Sequence, residues 1–381
     1  MRGHIAKKGT RYYPVIYLGR DEEGKRKYKW FSSFKRKKDA EKELTKIVAQ
    51  YNNDGYIGLE NITLKEYMEN WQKNYVEENL KPKTIASHKV CINRIIVQLG
   101  QVKLQKLQPI HIQNLYTYLL KEGRQDGNGG LSAKSVIQTH RVLRKALHQA
   151  VKLQLLNRNP ADYVDPPRAK KYDAQVLNEK EIQEYIEAYK DTDIYIPFLL
   201  GITLGLRRGE ALGLRWCDID FKSKTITIRQ TLLYVDRNNI FSTPKSDKSR
   251  RTIVITENLL NILKKKKAEQ DLYRSLLGGY DDNDLVCCQY DGSIMTPNSF
   301  SSKFKYIQEK KKLKKVRFHD LRHTNATLML KNNVPAKVAS ERLGHSTIGI
   351  TLDLYSHVMR EMQEETAEKL EDLILKNSTN I

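Results

Sequence analysis

Cysteine is scarce in this 381-residue chain: Cys91, Cys217, Cys287 and Cys288 are all it contains. Two are adjacent and two isolated, a spacing that fits neither a disulfide framework nor a zinc ribbon. A reduced cytoplasmic setting is the expectation. Long apolar runs are missing too. No window reaches ~18 apolar residues, which excludes a spanning helix and argues against a membrane partner. The opening MRGHIAKKGTRYY is basic but leads into no apolar run and no cleavage-type site, so it does not read as a secretion signal. Acidic residues are in deficit, with 45 Asp+Glu against 67 Lys+Arg and a formal net charge of +22. Such a balance suits a polyanionic partner, nucleic acid before anionic membrane.

What is present supports folded domains. The hydrophobic content is 39%, and the length points to two or three of them. Residues 1–60 read as a small module. RYYPVIYL and KRKYKWF are two strand-like runs around the turn-forming GRDEEG, and KKDAEKELTKIVAQY places Ala40, Leu44, Ile47 and Tyr51 near one helical face. Tyr28 and Trp30 stand between lysines on a strand, where they could meet DNA or merely fill the module's core.

Residues 61–160 read as helical. Thr63 and Glu66 have capping-box spacing, and a second helix is expected from near Thr84 to Gly100. A third runs from about Pro109 to Leu120, and a fourth from about Ser132. The fourth turns Val136, Leu143, Leu147 and Ala150 inward and leaves Lys134, Arg141, Arg144 and Lys145 outward. That basic face could contact DNA, and it is equally what a solvated helix looks like. Residues 161–176, ADYVDPPRAKKYDAQV, lack periodicity and read as a linker. From 177 onward, helices enclose one short sheet expected from TITIRQTLLYV and the strands flanking a basic loop.

Four stretches carry chemistry. In TLGLRRGEALGLRW, Arg207 follows an apolar run and a glycine, and Glu210 one turn on can orient it to grip an oxyanion. A structural Arg–Glu pair is the plain alternative. STPKSDKSRRTIVI places Lys245, Lys248, Arg250 and Arg251 in or beside a hairpin loop that could enter a DNA groove. A lysine delivered from it suits a general acid, though a solvated turn is the simpler reading. RFHDLRHTNATLML puts His319, Arg322 and His323 along one side of a helix. As a metalloprotease motif it fails, with Asp320 where the catalytic Glu belongs and an arginine between the histidines. LGHSTIGITLDLYSHV ends a helix at Gly344, so that His345 emerges from the turn, and Tyr355 follows on the next short helix.

Together these are arginines, a lysine, histidines and a tyrosine in a basic, multidomain chain. A phosphodiester gains negative charge in its pentacoordinate transition state, and paired arginine donors meet that need. A tyrosine can store the bond energy as a phosphotyrosyl ester. With that cationic set, and with no compact Asp/Glu cluster standing out, neither a metal nor a cofactor is expected.

In this order the residues resemble the tyrosine recombinases of the phage integrase type, close to those of temperate phages and integrative elements of Gram-positive bacteria. The family pattern Arg, Lys, His-x-x-Arg, His or Trp, Tyr falls on Arg207, Lys245, His319 and Arg322, His345 and Tyr355. Arg208 is the rival to Arg207, but the family position directly follows the Gly-Leu pair. The resemblance implies a multidomain α+β protein. Its parts would be a small β-sheet-plus-helix arm-binding module (1–60), an all-helical core-binding domain (61–160) and a mostly helical catalytic domain with a small antiparallel sheet (177–381). It further implies site-specific integration and excision through a 3′-phosphotyrosyl intermediate and a four-way junction. The partners implied are core- and arm-type DNA attachment sites, three further copies of the chain, an excisionase and a host DNA-bending protein. The acidic tail from Glu361 to Asp372, with Ala367, Leu370, Leu373 and Ile374 on an apolar stripe, would dock on a neighbouring protomer. A resolvase or invertase of the family, a type IB topoisomerase and a non-catalytic DNA-binding regulator are the competing readings.

Overall fold

The computed structural model describes residues 3–20, 25–53, 62–124, 126–170, 172, 174–243, 250–345, 347–349, 351–352, 367, 371 and 374. Lys245, Lys248 and Tyr355 lie outside the described residues, as does nearly all of the C-terminal tail. The chain divides into two compact units, Met1–Lys171 and Tyr172–Ile381. Among the described residues no helix is long and apolar enough to cross a membrane.

The N-terminal module has three strands where two are expected. Strands β1 (Gly3–Lys8), β2 (Arg11–Arg20) and β3 (Arg26–Trp30) form an antiparallel sheet in that order. The additional strand, GHIAKK, mixes small and charged residues and so lacks the alternation that marks its neighbours. Its signal is the turn after it, where Gly9 takes a φ of 62° in a two-residue connection between Lys8 and Arg11. Helix α1 (Lys37–Asn53) packs on the face that carries Gly3, where a Cβ would come within 2.7 Å of Leu44 Cδ1. Cross-strand pairs Val15–Trp30 and Tyr17–Tyr28 share a face. Tyr28 is 41% exposed and Trp30 55% exposed, so these rings do not fill the core.

Helix α2 (Leu64–Trp71) starts at the expected capping box: the Glu66 N–H donates to Thr63 Oγ1 at 3.2 Å, and the Thr63 N–H to Glu66 Oε2 at 2.8 Å. A wider π-type turn over Gln72–Glu77 follows. Helix α3 (Pro82–Leu99) begins at Pro82, two residues before the expected start, because proline favours the first helical turn. Helices α4 (Pro109–Glu122) and α5 (Ala133–Lys152) complete a core of Leu64, Trp71, Ile95, Leu115 and Leu143. The core extends past the expected linker boundary, since Ala161 and Val164 are buried in it around a short turn at Pro160–Tyr163. That turn also meets the basic face of α5. Lys134, Arg141, Arg144 and Lys145 are all exposed, and Arg144 Nε is bound to Asp162 Oδ1 at 2.6 Å. The carboxylate of this surface ion pair comes from the stretch expected to be a linker.

In the second unit, α6 (Glu179–Tyr189) leads into α7 (Tyr195–Leu204), which is apolar all round and accordingly buried. Short α8 (Arg208–Leu212) follows, then strands β4 (Ile219–Asp220), β5 (Thr225–Ile228), β6 (Thr231–Val235), β7 (Asn238–Ser242) and β8 (Arg251–Val254). The expected single sheet is in fact two: antiparallel β4-β5-β8, and the hairpin β6-β7. Gln230, between β5 and β6, donates to the Gly213 carbonyl at 2.9 Å, at the point where the chain leaves one sheet for the other. Strands β7 and β8 thus belong to different sheets and do not form one hairpin. Helices α9 (Glu257–Leu276), α10 (Pro297–Lys310), α11 (Phe318–Lys331) and α12 (Ala336–Leu343) finish the unit around Tyr189, Phe198, Phe300, Phe304 and Phe318.

Candidate active site

The site forms where α7, α8, α11 and α12 end or begin. Helix α7 stops at Gly205, in the left-handed region with φ 63°. A Cβ there would run into the Leu343 side chain of α12, so only glycine allows this turn and this approach together. The last carbonyls of α7 are claimed by α11. Asn325 Nδ2 donates to the Ile202 carbonyl at 2.8 Å, and Arg322 Nη1 to the Gly205 carbonyl at 2.8 Å. Asn325 escaped the sequence reading, since an asparagine in mid-helix carries no signal of its partner.

Arg207 caps α8 as expected from its spacing to Glu210. Its N–H donates to Glu210 Oε2 at 3.0 Å and its Nη1 to Glu210 Oε1 at 2.7 Å. Its Nη2 reaches the Gly344 carbonyl at 3.1 Å, which ties α8 to the end of α12. Arg208 turns elsewhere, donating to the Pro297 carbonyl and to Ser301 Oγ of α10. Of this pair, Arg207 is the one joined to the other site residues.

Arg322 is 2% exposed, and its Nη2 has no hydrogen-bond partner among the described residues. Burial, then repulsion from Arg207, lowers this guanidinium to about 9. A buried cation with an open donor and no direct counter-ion is costly unless an anion arrives. Helix α12 ends at Gly344 (φ 68°), and His345 emerges from that turn as the sequence implies. His345 Nδ1 lies 2.7 Å from Oγ1 of the fully buried Thr351, a partner that the sequence reading missed. Burial and the charges of Arg322 and Arg207 bring His345 down to about 3. His319 packs edge-to-face on His323, ring centroids 4.9 Å apart. Burial, then His323 and Arg322, lowers His319 to about 4, an effect that solvent screens in part because this residue keeps an exposed side. His319 also lines a cavity of about 470 Å³ together with Arg208, Lys305 and Arg317.

Arg250 is exposed, as a groove-facing residue would be. Arg251 is not: its side chain is 6% exposed and bound to Glu210 Oε2 at 2.9 Å. It belongs to the support of the site and not to a DNA-facing loop, because strand alternation turns it inward toward a buried carboxylate. Burial pushes Glu210 up, but Arg251 and then Arg207 outweigh it and hold the carboxyl below its ordinary range.

The lowered histidines carry a stability signature. Below about pH 6.5 an unfolded histidine takes up a proton that the folded site refuses, so stability falls with pH. Carboxylate titration begins lower, so the window from about pH 6.5 to about pH 5 isolates the histidines. Thermal melting should fall across that window, and His345→Asn should remove part of the fall. A pH-independent melting temperature there would contradict the neutral His345.

Three protein-family models match the chain: the Phage integrase family over residues 175–362, the Phage integrase N-terminal SAM-like domain over 63–120, and an Arm DNA-binding domain over 4–51. The chain is 30% identical to a tyrosine recombinase XerC-like protein of Caldanaerobacter subterraneus subsp. tengcongensis, over 98% of this chain and 99% of that one. It is 29% identical to the ICEBs1 integrase of Bacillus subtilis, over 78% and 80% of the two chains. Its fold is similar to that of the Tn1549 transposon integrase solved with transposon right end DNA, with a TM-score of 0.68 at 18% identity, covering 81% of this chain and 99% of that one. A full-length match of this kind, on a chain whose arginines and histidines converge as described, means that the chain belongs to the tyrosine recombinase family, the phage integrases.

Proposed function

We propose that this recombinase integrates and excises a mobile DNA element by direct transesterification, with Arg207 and Arg322 clamping the scissile phosphate. The observation that carries this reading is Arg322: a buried guanidinium with one arm bound to Gly205 and the other without a partner among the described residues is arranged to receive an anionic oxygen. Tyr355 forms the new bond to phosphorus while the bond to the DNA 5′-oxygen breaks. The phenolic proton leaves by way of His319, a neutral imidazole in the site. Lys245 protonates the departing 5′-oxygen. In the tautomer whose Nδ1 accepts from the Thr351 hydroxyl 2.7 Å away, His345 carries its proton on Nε2 and offers it to the phosphate. The 5′-hydroxyl of a partner duplex then attacks the phosphotyrosine and regenerates the tyrosine.

Two exchanges of two strands each need four tyrosines, so the working unit is a homotetramer on paired attachment sites, in the bacterial cytoplasm. The exposed Lys134, Arg141 and Lys145 of α5 meet the core-type site, and the exposed Tyr28 and Trp30 among the lysines of β3 meet the arm-type site. Arg250 and Lys248 add phosphate contacts near the crossover. An excisionase and a host bending protein would set direction. The test is a nicked suicide duplex carrying the core site. Wild type should form a covalent protein–DNA adduct and Tyr355→Phe none. An undiminished adduct with the phenylalanine variant, or tight binding by wild type without any adduct, would overturn the mechanism.

A further inference from the structure

Arg251 is held on both sides of the clamp. Its Nη2 and Nη1 lie 2.9 and 3.4 Å from Glu210 Oε2 and Oε1, and its Nε donates to the Arg342 carbonyl at 2.8 Å. Glu210, 4% exposed, is the same carboxylate that binds the N–H and Nη1 of Arg207. Arg342 lies in the last turn of α12, next to the Gly344 carbonyl that Arg207 Nη2 reaches. Two arginines from different elements therefore share one buried carboxylate and together cap the helix that presents His345.

One arginine is enough to neutralise one carboxylate. A second raises the positive charge of a pocket that already holds Arg322, and it lowers stability where scaffold strength alone is at stake. The arrangement has a use if Arg207 must act on something else. Paired with Glu210 alone, Arg207 would present to a phosphate a charge largely cancelled from behind. With Arg251 balancing Glu210 from the buried side, the carboxylate still orients Arg207, whose side chain is 37% exposed, while its charge remains available.

We propose that Arg251 is a positioning residue of the recombination site: it neutralises Glu210 so that Arg207 faces the scissile phosphate as a full cation, and it fixes the end of α12 that carries His345. The proposal rests on the reading of Arg207 as a phosphate clamp. Single-turnover adduct formation on the nicked suicide duplex tests it, with folding followed by thermal melting. Arg251→Met leaves Glu210 opposed only by Arg207 and should cut the rate about 100-fold, the scale of losing one oxyanion donor. Adding Glu210→Gln to that variant removes the cancelling charge and should raise the rate again by about tenfold. Arg251→Lys, which keeps a cation beside Glu210, should stay within about tenfold of wild type.

A merely structural role predicts the opposite pattern, with the double variant no faster than Arg251→Met. That result, or a folded Arg251→Lys as slow as Arg251→Met, or an Arg251→Met at wild-type rate, would overturn the proposal. Should Arg251→Met fail to fold, the lysine variant decides alone: near-wild-type cleavage supports the charge-balancing role, and an about 100-fold loss in the folded protein ends it. Absence of any adduct with wild type would instead strike at the reading of the site itself.

Discussion

Arg322→Met is expected to lower adduct formation by about 10²–10³-fold while leaving the protein no less stable than wild type. The first half follows from the loss of a donor aimed at the phosphate. The second follows from what that donor costs before DNA arrives. Arg322 is 2% exposed with an Nη2 that has no partner among the described residues, and its folded value of about 9 lies below that of an arginine in water. For a base lowered on folding, the penalty is fully present at neutral pH and is relieved only above the folded value, near pH 9 here. It amounts to several kcal/mol, at roughly 1.4 kcal/mol per unit. Methionine forfeits the bond to the Gly205 carbonyl, a loss of about 1–3 kcal/mol, and fills much of the volume. The two effects offset, so the melting temperature should hold or rise. A variant that melts well below wild type would show that Arg322 is a structural arginine and not one held at a cost to stability for the phosphate.

The legibility of the site in the sequence differed residue by residue, for physical reasons. Local geometry was readable: Glu210 stands one turn from Arg207 and does cap it, and Gly344 ends α12 so that His345 leaves the helix at the turn. What sequence spacing could not carry were partners supplied from far along the chain. Asn325 reaches back more than a hundred positions to α7, and Arg251 finds Glu210 only because β8 pairs beside β5. Arg251 stands beside Arg250 in a basic run, and nothing in that run distinguishes the exposed arginine from the buried one until the strand is placed. The same holds for Arg144, whose partner Asp162 comes from a turn that lacks periodicity. In the N-terminal module the missed strand β1 had weak alternation, and its register is set by the Gly9 turn and by its neighbour β2.

Glu210→Ala should be the most destabilising single change in this site. The carboxylate is 4% exposed and answers two guanidiniums, so its removal leaves positive charge on α8 and β8 without the counter-charge that brought them together. Breaking a buried pair by deleting one partner costs about 3–5 kcal/mol. Urea unfolding at neutral pH should register a loss of that size. The difference should also depend on pH in a defined direction. Glu210 is held below the ordinary carboxylate range, so the stability it adds is present above that range and is lost as pH falls through its folded value. Wild type and the alanine variant should therefore converge in acid and diverge toward neutrality. Glu210→Gln, which keeps one acceptor for Arg207 or Arg251, should fall between them. If Glu210→Ala costs less than about 1 kcal/mol, the carboxylate is not what holds α8, β8 and the end of α12 in register, and the positions of Arg207 and His345 must be fixed by α7–α11 packing alone.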